Sequence, residues 1–162
     1  MTEVLVVRHA QAARQELPNA ERPLSEEVMK DARELTTKLA SLGINFIYSS
    51  PYKRAIETVE PLCKATGLEV QIRDDLREST EDEDFPEVRI RMVSAIEEIV
   101  FRNPEQRVVV CTHVGTSWGM ISSFDPDFGY EQYKEVGSPD INRFVYEGSR
   151  GRYDAEFRIE DL

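Results

Sequence analysis

Histidine, cysteine and long apolar runs are scarce in this sequence, and each scarcity excludes a class of protein. The 162 residues include only two histidines and two cysteines. Cys63 and Cys111 fit no metal-binding or redox spacing, so we expect reduced thiols in the core of a cytoplasmic protein. No apolar stretch approaches the ~20 residues of a membrane-spanning helix, and the first residues lack the regions of a signal peptide. These absences predict a cytoplasmic protein that does not associate with membranes.

Basic residues are also in deficit, with 20 Lys and Arg against 31 Asp and Glu, for a formal net charge of −11. Nucleic-acid binders hold phosphate backbones with an excess of Lys and Arg, so this balance argues against a nucleic-acid partner. A few clustered arginines can nevertheless make a local positive pocket, whatever the net charge. A small phosphate site therefore remains compatible with the composition.

Strand-like and helix-like patterns alternate along the chain, and its length predicts one domain over residues 1–162. Strands are predicted at residues 4–7, 44–48, 68–72 and 107–111, with a final hairpin formed by residues 142–146 and 153–159. Helices are predicted at residues 25–42, 51–66, 85–101 and 116–123, the second with Ser50 as its N-cap and Pro51 at its first position. This order predicts an α/β protein, a three-layer α/β/α sandwich with a mostly parallel mixed sheet.

Both histidines directly follow apolar strands. His9 follows Arg8 at the end of the first strand, and His113 follows Thr112 just after the strand at residues 107–111. Arg54 lies in the first turn of the helix that follows another strand. Because such folds bind ligands beyond the carboxyl ends of their strands, we expect these four side chains to meet there. Two imidazoles and two guanidinium groups together predict a metal-free site for phosphoryl transfer.

Five segments resemble, in the same order, the signatures of the histidine phosphatase (phosphoglycerate mutase-like) superfamily. The segments are Arg8-His9-Ala10-Gln11-Ala12, Leu24-Ser25-Glu26, Ser49-Ser50-Pro51 with Arg54-Ala55 and Thr58, Leu76-Arg77-Glu78, and Thr112-His113. The resemblance implies a phosphoglycerate mutase-like fold and spans most of the chain. The sequence departs from the family where Ala10 and Val114 replace glycines that usually follow the two histidines.

The resemblance implies a role for each strand-end residue. His9 would be the nucleophile that carries the phosphoryl group, because neutral imidazole is competent near pH 7. Arg8 and Arg54 would grip the phosphoryl oxygens with forked hydrogen bonds. His113 would bind the same oxygens and stabilise charge in the transition state. No metal or cofactor is implied, because arginines and imidazoles supply the positive field.

A carboxylate is implied as the proton donor to the leaving group and then as the base for water. Glu78 matches the family segment, with Glu81 and Asp82 as alternatives in the same acidic stretch. Gln11 is expected to line the substrate pocket, although it could equally serve the geometry of its loop.

The resemblance implies a phosphatase that hydrolyses a phosphomonoester or phosphoprotein through a phosphohistidine intermediate. The alternatives are a phosphoglycerate mutase and a non-catalytic phosphate-binding scaffold. The chain lacks the long helical insertion that covers the active site of larger family members, and in this it resembles compact bacterial phosphohistidine phosphatases. The sequence does not decide between a small phosphorylated molecule and a phosphoprotein, and it leaves the oligomeric state open.

Overall fold

The computed structural model describes residues 1–10, 17–134 and 139–161. Its strands are β1 (Thr2–Arg8), β2 (Phe46–Ser49), β3 (Val70–Ile72), β4 (Arg107–Thr112), β5 (Asp140–Glu147) and β6 (Arg150–Asp154). Its α-helices are α1 (Glu26–Leu39), α2 (Lys53–Thr66), α3 (Phe85–Arg102), α4 (Val114–Phe124) and α5 (Tyr130–Lys134). Short 3₁₀ turns at Asn19–Glu21, Ala40–Leu42, Asp74–Leu76 and Ile159–Asp161 complete the regular structure.

The strands form one mixed sheet in the order β3-β2-β4-β1-β5-β6. The strands β3, β2, β4 and β1 run parallel to one another, while β5 and β6 are antiparallel additions at one edge. The mostly parallel mixed sheet predicted from the sequence is therefore confirmed. The carboxyl ends of β1, β2 and β4 lie side by side, because Arg8 pairs with Thr112 and Ser49 pairs with Cys111.

Alternate residues of the central strands face two separate cores. In β1, Val4 and Val6 pack with residues of α3 and α4, whereas Leu5 and Val7 pack with residues of α1 and α2. Strands buried on both faces are apolar at nearly every position, as β1 is here. Helices thus cover both faces of the sheet, which gives the three layers predicted from the sequence.

Two local predictions are wrong. The helix α2 begins at Lys53 with Tyr52 as its N-cap, and not at Pro51 after Ser50. The final hairpin turns at Gly148, which has a φ of 60°, so β6 begins at Arg150 and ends at Asp154. The predicted strands at 142–146 and 153–159 would place Gly151 in the turn, but Gly151 lies in β6. There it packs against the rings of Tyr146 and Phe124, where an added Cβ would be 2.6 Å from the Tyr146 ring. Glycine is therefore required at position 151 because a side chain would not fit against these rings, and not because the backbone turns there.

No helix in the described ranges is long and apolar enough to cross a membrane.

Candidate active site

The candidate site forms where β1, β2 and β4 end. The backbone hydrogen bonding of the sheet continues past the strands, since the His9 amide donates to the Thr112 carbonyl at 3.1 Å and the Ser50 amide to the Cys111 carbonyl at 3.0 Å. These bonds hold His9, Ser50 and His113 at neighbouring strand ends. The structure therefore brings together residues that are more than 100 positions apart in the sequence.

The His9 ring is held by one hydrogen bond at each nitrogen. Its Nδ1 atom lies 2.5 Å from the Ala10 carbonyl oxygen, and Arg54 donates from Nε to its Nε2 atom at 3.2 Å. Because a carbonyl only accepts, Nδ1 carries the hydrogen and Nε2 keeps its lone pair. Burial, followed by the nearby charges of Arg54, Arg8 and Arg22, lowers the pKa of His9 to about 4. His9 is therefore a neutral imidazole with a directed lone pair at pH 7.

The alanine after His9 fits its place without strain. Ala10 is fully buried, and its amide donates to the Thr58 hydroxyl at 3.1 Å. That hydroxyl in turn donates to the Arg54 carbonyl at 2.7 Å. Among the described residues other than glycine, only Glu105 has a positive φ, so neither Ala10 nor Val114 occupies a backbone conformation that favours glycine.

Arg54 lies in the first turn of α2 and is 5% exposed. Besides its bond to His9, it donates from Nη1 to the Asn19 carbonyl at 2.6 Å, and its guanidinium carbon lies 5.0 Å from the centre of the Tyr52 ring. Burial and the charge of Arg22 lower the pKa of Arg54, while Glu78 opposes this shift. Hydrogen bonds from Nε and Nη1 thus hold the Arg54 guanidinium beside the Nε2 lone pair of His9.

Arg8 occupies the last position of β1, between Thr112 on β4 and Asp140 on β5. Its guanidinium carbon lies 5.7 Å from the centre of the Tyr133 ring. Its charge also contributes to the lowered pKa of His9. Arg8 thus supplies a second positive charge close to His9.

His113 is fully buried and contacts the other ring of the site. The centres of the His113 and His9 rings are 4.9 Å apart in an edge-on arrangement, and the His113 Nε2 atom lies 2.7 Å from the Ser50 hydroxyl. Burial, then the charges of His9 and Arg54, lowers the pKa of His113 well below its ordinary value. Its Nδ1 atom has no hydrogen-bond partner within the part of the chain that the structure describes.

The carboxylate of Glu78 lies against the first turn of α4. One of its oxygens accepts a hydrogen bond from the Ser79 amide at 2.9 Å, and the Gly115 amide also donates to the carboxylate. A Cβ added at Gly115 would lie 2.7 Å from that oxygen, so only glycine lets the carboxylate approach so closely. Burial raises the pKa of Glu78, whereas Glu81 and Asp82 are exposed.

Four residues of the site were not identified from the sequence. The sequence predicts a helix N-cap at Ser50, but its hydroxyl contacts His113, and no sequence pattern points to Gly115. Asn19 contributes only its backbone carbonyl, which no sequence pattern reveals. Arg22 lies close enough for its charge to lower the pKa of both His9 and Arg54.

The predicted substrate residue Gln11 lies outside the described residues.

The arrangement suits a tetrahedral anion. The neutral His9 imidazole lies within 3.2 Å of the Arg54 guanidinium and 4.9 Å from the centre of the His113 ring. Arg8 is close enough for its charge to affect the pKa of His9, and Glu78 is close enough to affect that of Arg54. Within the described ranges, no group of three or more His, Cys, Asp or Glu side chains could hold a metal ion. Guanidinium and imidazole groups can bind and polarise a phosphoryl group through their own N–H donors.

Comparisons with known proteins identify solved structures that share the fold. Solved structures with the same fold include a phosphoserine phosphatase mutant from Entamoeba histolytica in complex with phosphoserine, with a TM-score of 0.79, 13% identity and 96% of each chain covered. Another is a mycobacterial glucosyl-3-phosphoglycerate phosphatase, with a TM-score of 0.77 and 18% identity over 94% of this chain and 96% of that one. A third is a phosphoglycerate mutase from Bacillus anthracis, with a TM-score of 0.83 and 18% identity over 98% of this chain and 94% of that one.

No curated protein sequence matches the chain. A family model described as the histidine phosphatase superfamily (branch 1) matches residues 4–80 and 79–156, which is nearly the whole length. The chain therefore belongs to the histidine phosphatase superfamily, branch 1.

Proposed function

We propose that this protein is a metal-independent phosphatase that hydrolyses a phosphomonoester or phosphoprotein through a phosphohistidine intermediate on His9. The observation that carries the proposal is the state of the His9 ring. The Ala10 carbonyl holds the hydrogen on Nδ1, the lowered pKa keeps the ring neutral, and the lone pair of Nε2 is directed at the Arg54 guanidinium. When phosphoryl oxygens take over the Arg54 donors, the hydrogen bond to Nε2 is released and its lone pair faces the phosphorus atom.

In the first step, the Nε2 atom of His9 attacks phosphorus, and the bond from phosphorus to the leaving oxygen breaks. Arg54 and Arg8 bind the non-bridging oxygens, and His113 adds a hydrogen bond to them. The electron pair stays on the leaving oxygen, which takes a proton from Glu78. The raised pKa of Glu78 favours the protonated carboxyl group that this step requires.

In the second step, a water oxygen attacks the phosphoryl group on His9. Glu78, now a carboxylate, accepts a proton from that water. The bond from phosphorus to Nε2 breaks, and its electron pair returns to the imidazole. Inorganic phosphate leaves, and the neutral His9 and protonated Glu78 of the starting state are restored.

Structures of the similar phosphoserine phosphatase hold phosphoserine and 3-phosphoglyceric acid, which supports small phosphorylated molecules as the first substrates to test. Chain length does not separate a phosphatase from a mutase, since the chain covers 94% of a structure named as a phosphoglycerate mutase. A mutase must also retain a bisphosphate between its two half-reactions. Net hydrolysis without interconversion of phosphoglycerates is the outcome expected here.

The two histidines allow a sharp test of the intermediate, because the chain contains no others. Brief reaction with a ³²P-labelled phosphomonoester should give one acid-labile, base-stable phosphoryl group per chain. The variant His9→Ala should lose the label and turnover together, whereas His113→Ala should still be labelled but turn over more slowly. Undiminished turnover by His9→Ala, or a label that depends on His113 instead, would overturn the proposal.

A further inference from the structure

Arg91 lies in α3, and its guanidinium group donates hydrogen bonds to the segment of residues 75–83, which carries Glu78. The Arg91 and Glu83 side chains are each 13% exposed. They form a fork in which Nε donates to one Glu83 oxygen at 2.8 Å and Nη2 to the other at 2.9 Å. A two-point bond of this kind fixes orientation as well as distance.

The remaining Arg91 N–H groups donate to backbone carbonyls of Glu78 itself and of residues that precede it in the sequence. Nη1 donates to the carbonyls of Asp75 and Arg77 at 2.8 and 2.9 Å, and Nη2 reaches the Glu78 carbonyl at 3.5 Å. One side chain thus ties the backbone before Glu78 to the carboxylate of Glu83 after it. Glu83 extends the connection, because its carboxylate accepts from the Thr80 amide at 3.2 Å.

We infer that Arg91, together with Glu83, is the positioning residue for Glu78, the proton donor of the proposed reaction. The inference rests on that proposed function and adds to it a residue that touches no substrate. The Glu78 carboxylate itself is held by the neighbouring amides of Ser79 and Gly115, so its place depends on where its backbone runs. Arg91 determines that path by joining three carbonyls to one carboxylate.

Arg91 has no donor left for a phosphoryl group. A guanidinium has five N–H bonds, and the five contacts to Glu83, Asp75, Arg77 and Glu78 occupy them. Its charge is balanced by Glu83 at 2.8 Å. Arg91 therefore differs from Arg54, and its loss should affect the proton transfers of Glu78 rather than the binding of the phosphoryl group.

The decisive experiment compares leaving groups in a double-mutant cycle. Arg91→Met should lower kcat/KM for alkyl phosphates by roughly 10- to 100-fold, a part of the ~10²–10⁴-fold that a general acid contributes. It should slow p-nitrophenyl phosphate far less, because nitrophenolate leaves without a proton. In a Glu78→Gln background, Arg91→Met should lower kcat/KM for alkyl phosphates only slightly further, because Arg91 acts through the carboxyl group that this background already lacks.

Two further variants test whether the two-point hydrogen bond from Arg91 to Glu83 is responsible for the effect. Arg91→Lys keeps the positive charge, which also lowers the pKa of His113, but it loses the planar fork and should behave like Arg91→Met. Arg102→Met is the matched control, since Arg102 lies in the same helix and pairs with Glu98 at 2.8 Å on the surface. It should leave the ratio of alkyl to aryl activity unchanged. An equal loss on both substrates for Arg91→Met, or the same loss in the Glu78→Gln background, would overturn the inference.

A measurement without turnover separates this inference from the proposed function. The Ser79 and Gly115 amides both donate to the Glu78 carboxylate, so their hydrogen exchange reports where that carboxylate lies. Exchange at both amides should be faster in Arg91→Met than in the wild type or Arg102→Met. Unchanged exchange would refute the positioning role even if His9 is phosphorylated. Faster exchange in a chain without phosphatase activity would leave the positioning intact and reject the reaction.

Discussion

The His113 Nε2 atom lies 2.7 Å from the Ser50 hydroxyl, although 63 positions separate the two residues in the sequence. Both residues are fully buried, and the same hydroxyl accepts a hydrogen bond from the Tyr52 amide at 3.1 Å. Ser50 therefore links the second imidazole to the turn that leads into α2 and Arg54. This oxygen is thus a direct link between His113 and the start of the helix that carries Arg54.

Ser50→Ala should consequently lower kcat/KM, while its melting temperature should match that of a control variant that loses a similar buried hydrogen bond. Losing a buried hydrogen-bond partner costs about 1–3 kcal/mol in the free energy of unfolding. Ser49→Ala is the matched control, because Ser49 is equally buried and its hydroxyl donates to the Ser50 carbonyl at 2.9 Å, away from His113. We expect similar melting temperatures for the two variants, but a clearly lower kcat/KM for Ser50→Ala. Equal activities would show that the contact with His113 has no role in the reaction.

The lowered pKa of His9 predicts the pH dependence of both activity and stability. The folded chain holds His9 near pKa 4, while an unfolded chain binds the proton near 6.5. Between these values the unfolded state binds more protons, so the free energy of unfolding should fall as the pH falls from 6.5 towards 4. His113 shifts in the same direction. Above pH 6.5 neither imidazole should contribute a slope.

Two measurements check this dependence. The pH profile of kcat/KM should keep its acid limb well below pH 6.5, because protonation of His9 removes the nucleophilic lone pair. As the pH is lowered from 6.5 towards 4, the free energy of urea unfolding should fall more steeply for the wild type than for His9→Gln, because the variant lacks one titrating group. An acid limb near pH 6.5 would mean that His9 is not held neutral by its surroundings.

The convergence of His9, Arg54 and His113 was predictable from the sequence for a simple physical reason. Parallel strands bring their carboxyl ends to one edge of a sheet, so residues that follow apolar strands meet there. The role of Ser50 was not predictable, because serine before proline has the pattern of a helix N-cap. The contact with His113 is long-range, and no local pattern encodes it. The same holds for Gly115 beside Glu78 and for Gly151 under the Tyr146 ring.

Glu78→Gln should separate substrates by the basicity of their leaving groups. Alkyl phosphates should lose roughly 10²–10⁴-fold in kcat/KM, the contribution of a general acid. Activated aryl phosphates and phosphohistidine should lose much less, since those groups depart without a proton. Arg54→Ala should instead slow every substrate alike, because all present the same phosphoryl oxygens. Glu81→Gln and Asp82→Asn are the matched controls and should have little effect. A uniform loss across the series for Glu78→Gln would reject it as the acid.

Chelation should leave the activity unchanged. The proposed chemistry draws its positive charge from Arg8 and Arg54, with His113 as an uncharged hydrogen-bonding group, and needs no ion to polarise the phosphoryl group. Activity should therefore be the same after dialysis against excess EDTA as before it. A loss that a single added divalent ion restores would show that the site requires a metal.

Gly115→Ala tests the placement of Glu78 without altering any charged residue. The new Cβ would lie 2.7 Å from the Glu78 carboxylate oxygen and 3.1 Å from the Ser79 hydroxyl, so the carboxylate must move away from α4. Alanine in a helix is otherwise favoured over glycine by up to about 1 kcal/mol, so the helix itself should not suffer. The variant should therefore reproduce the leaving-group pattern of Glu78→Gln while the chain stays folded.

Gly119→Ala, one turn later in α4, is the control for this variant. Its new Cβ would meet the Arg89 backbone at 3.3 Å and not the Glu78 segment, so it should disturb the packing of α3 against α4 and lower the melting temperature. It should not change the ratio of alkyl to aryl phosphate activity. If Gly115→Ala keeps the wild-type ratio, the carboxylate beside α4 is not the one that protonates the leaving group, and the acid must be sought elsewhere in the segment that Arg91 holds.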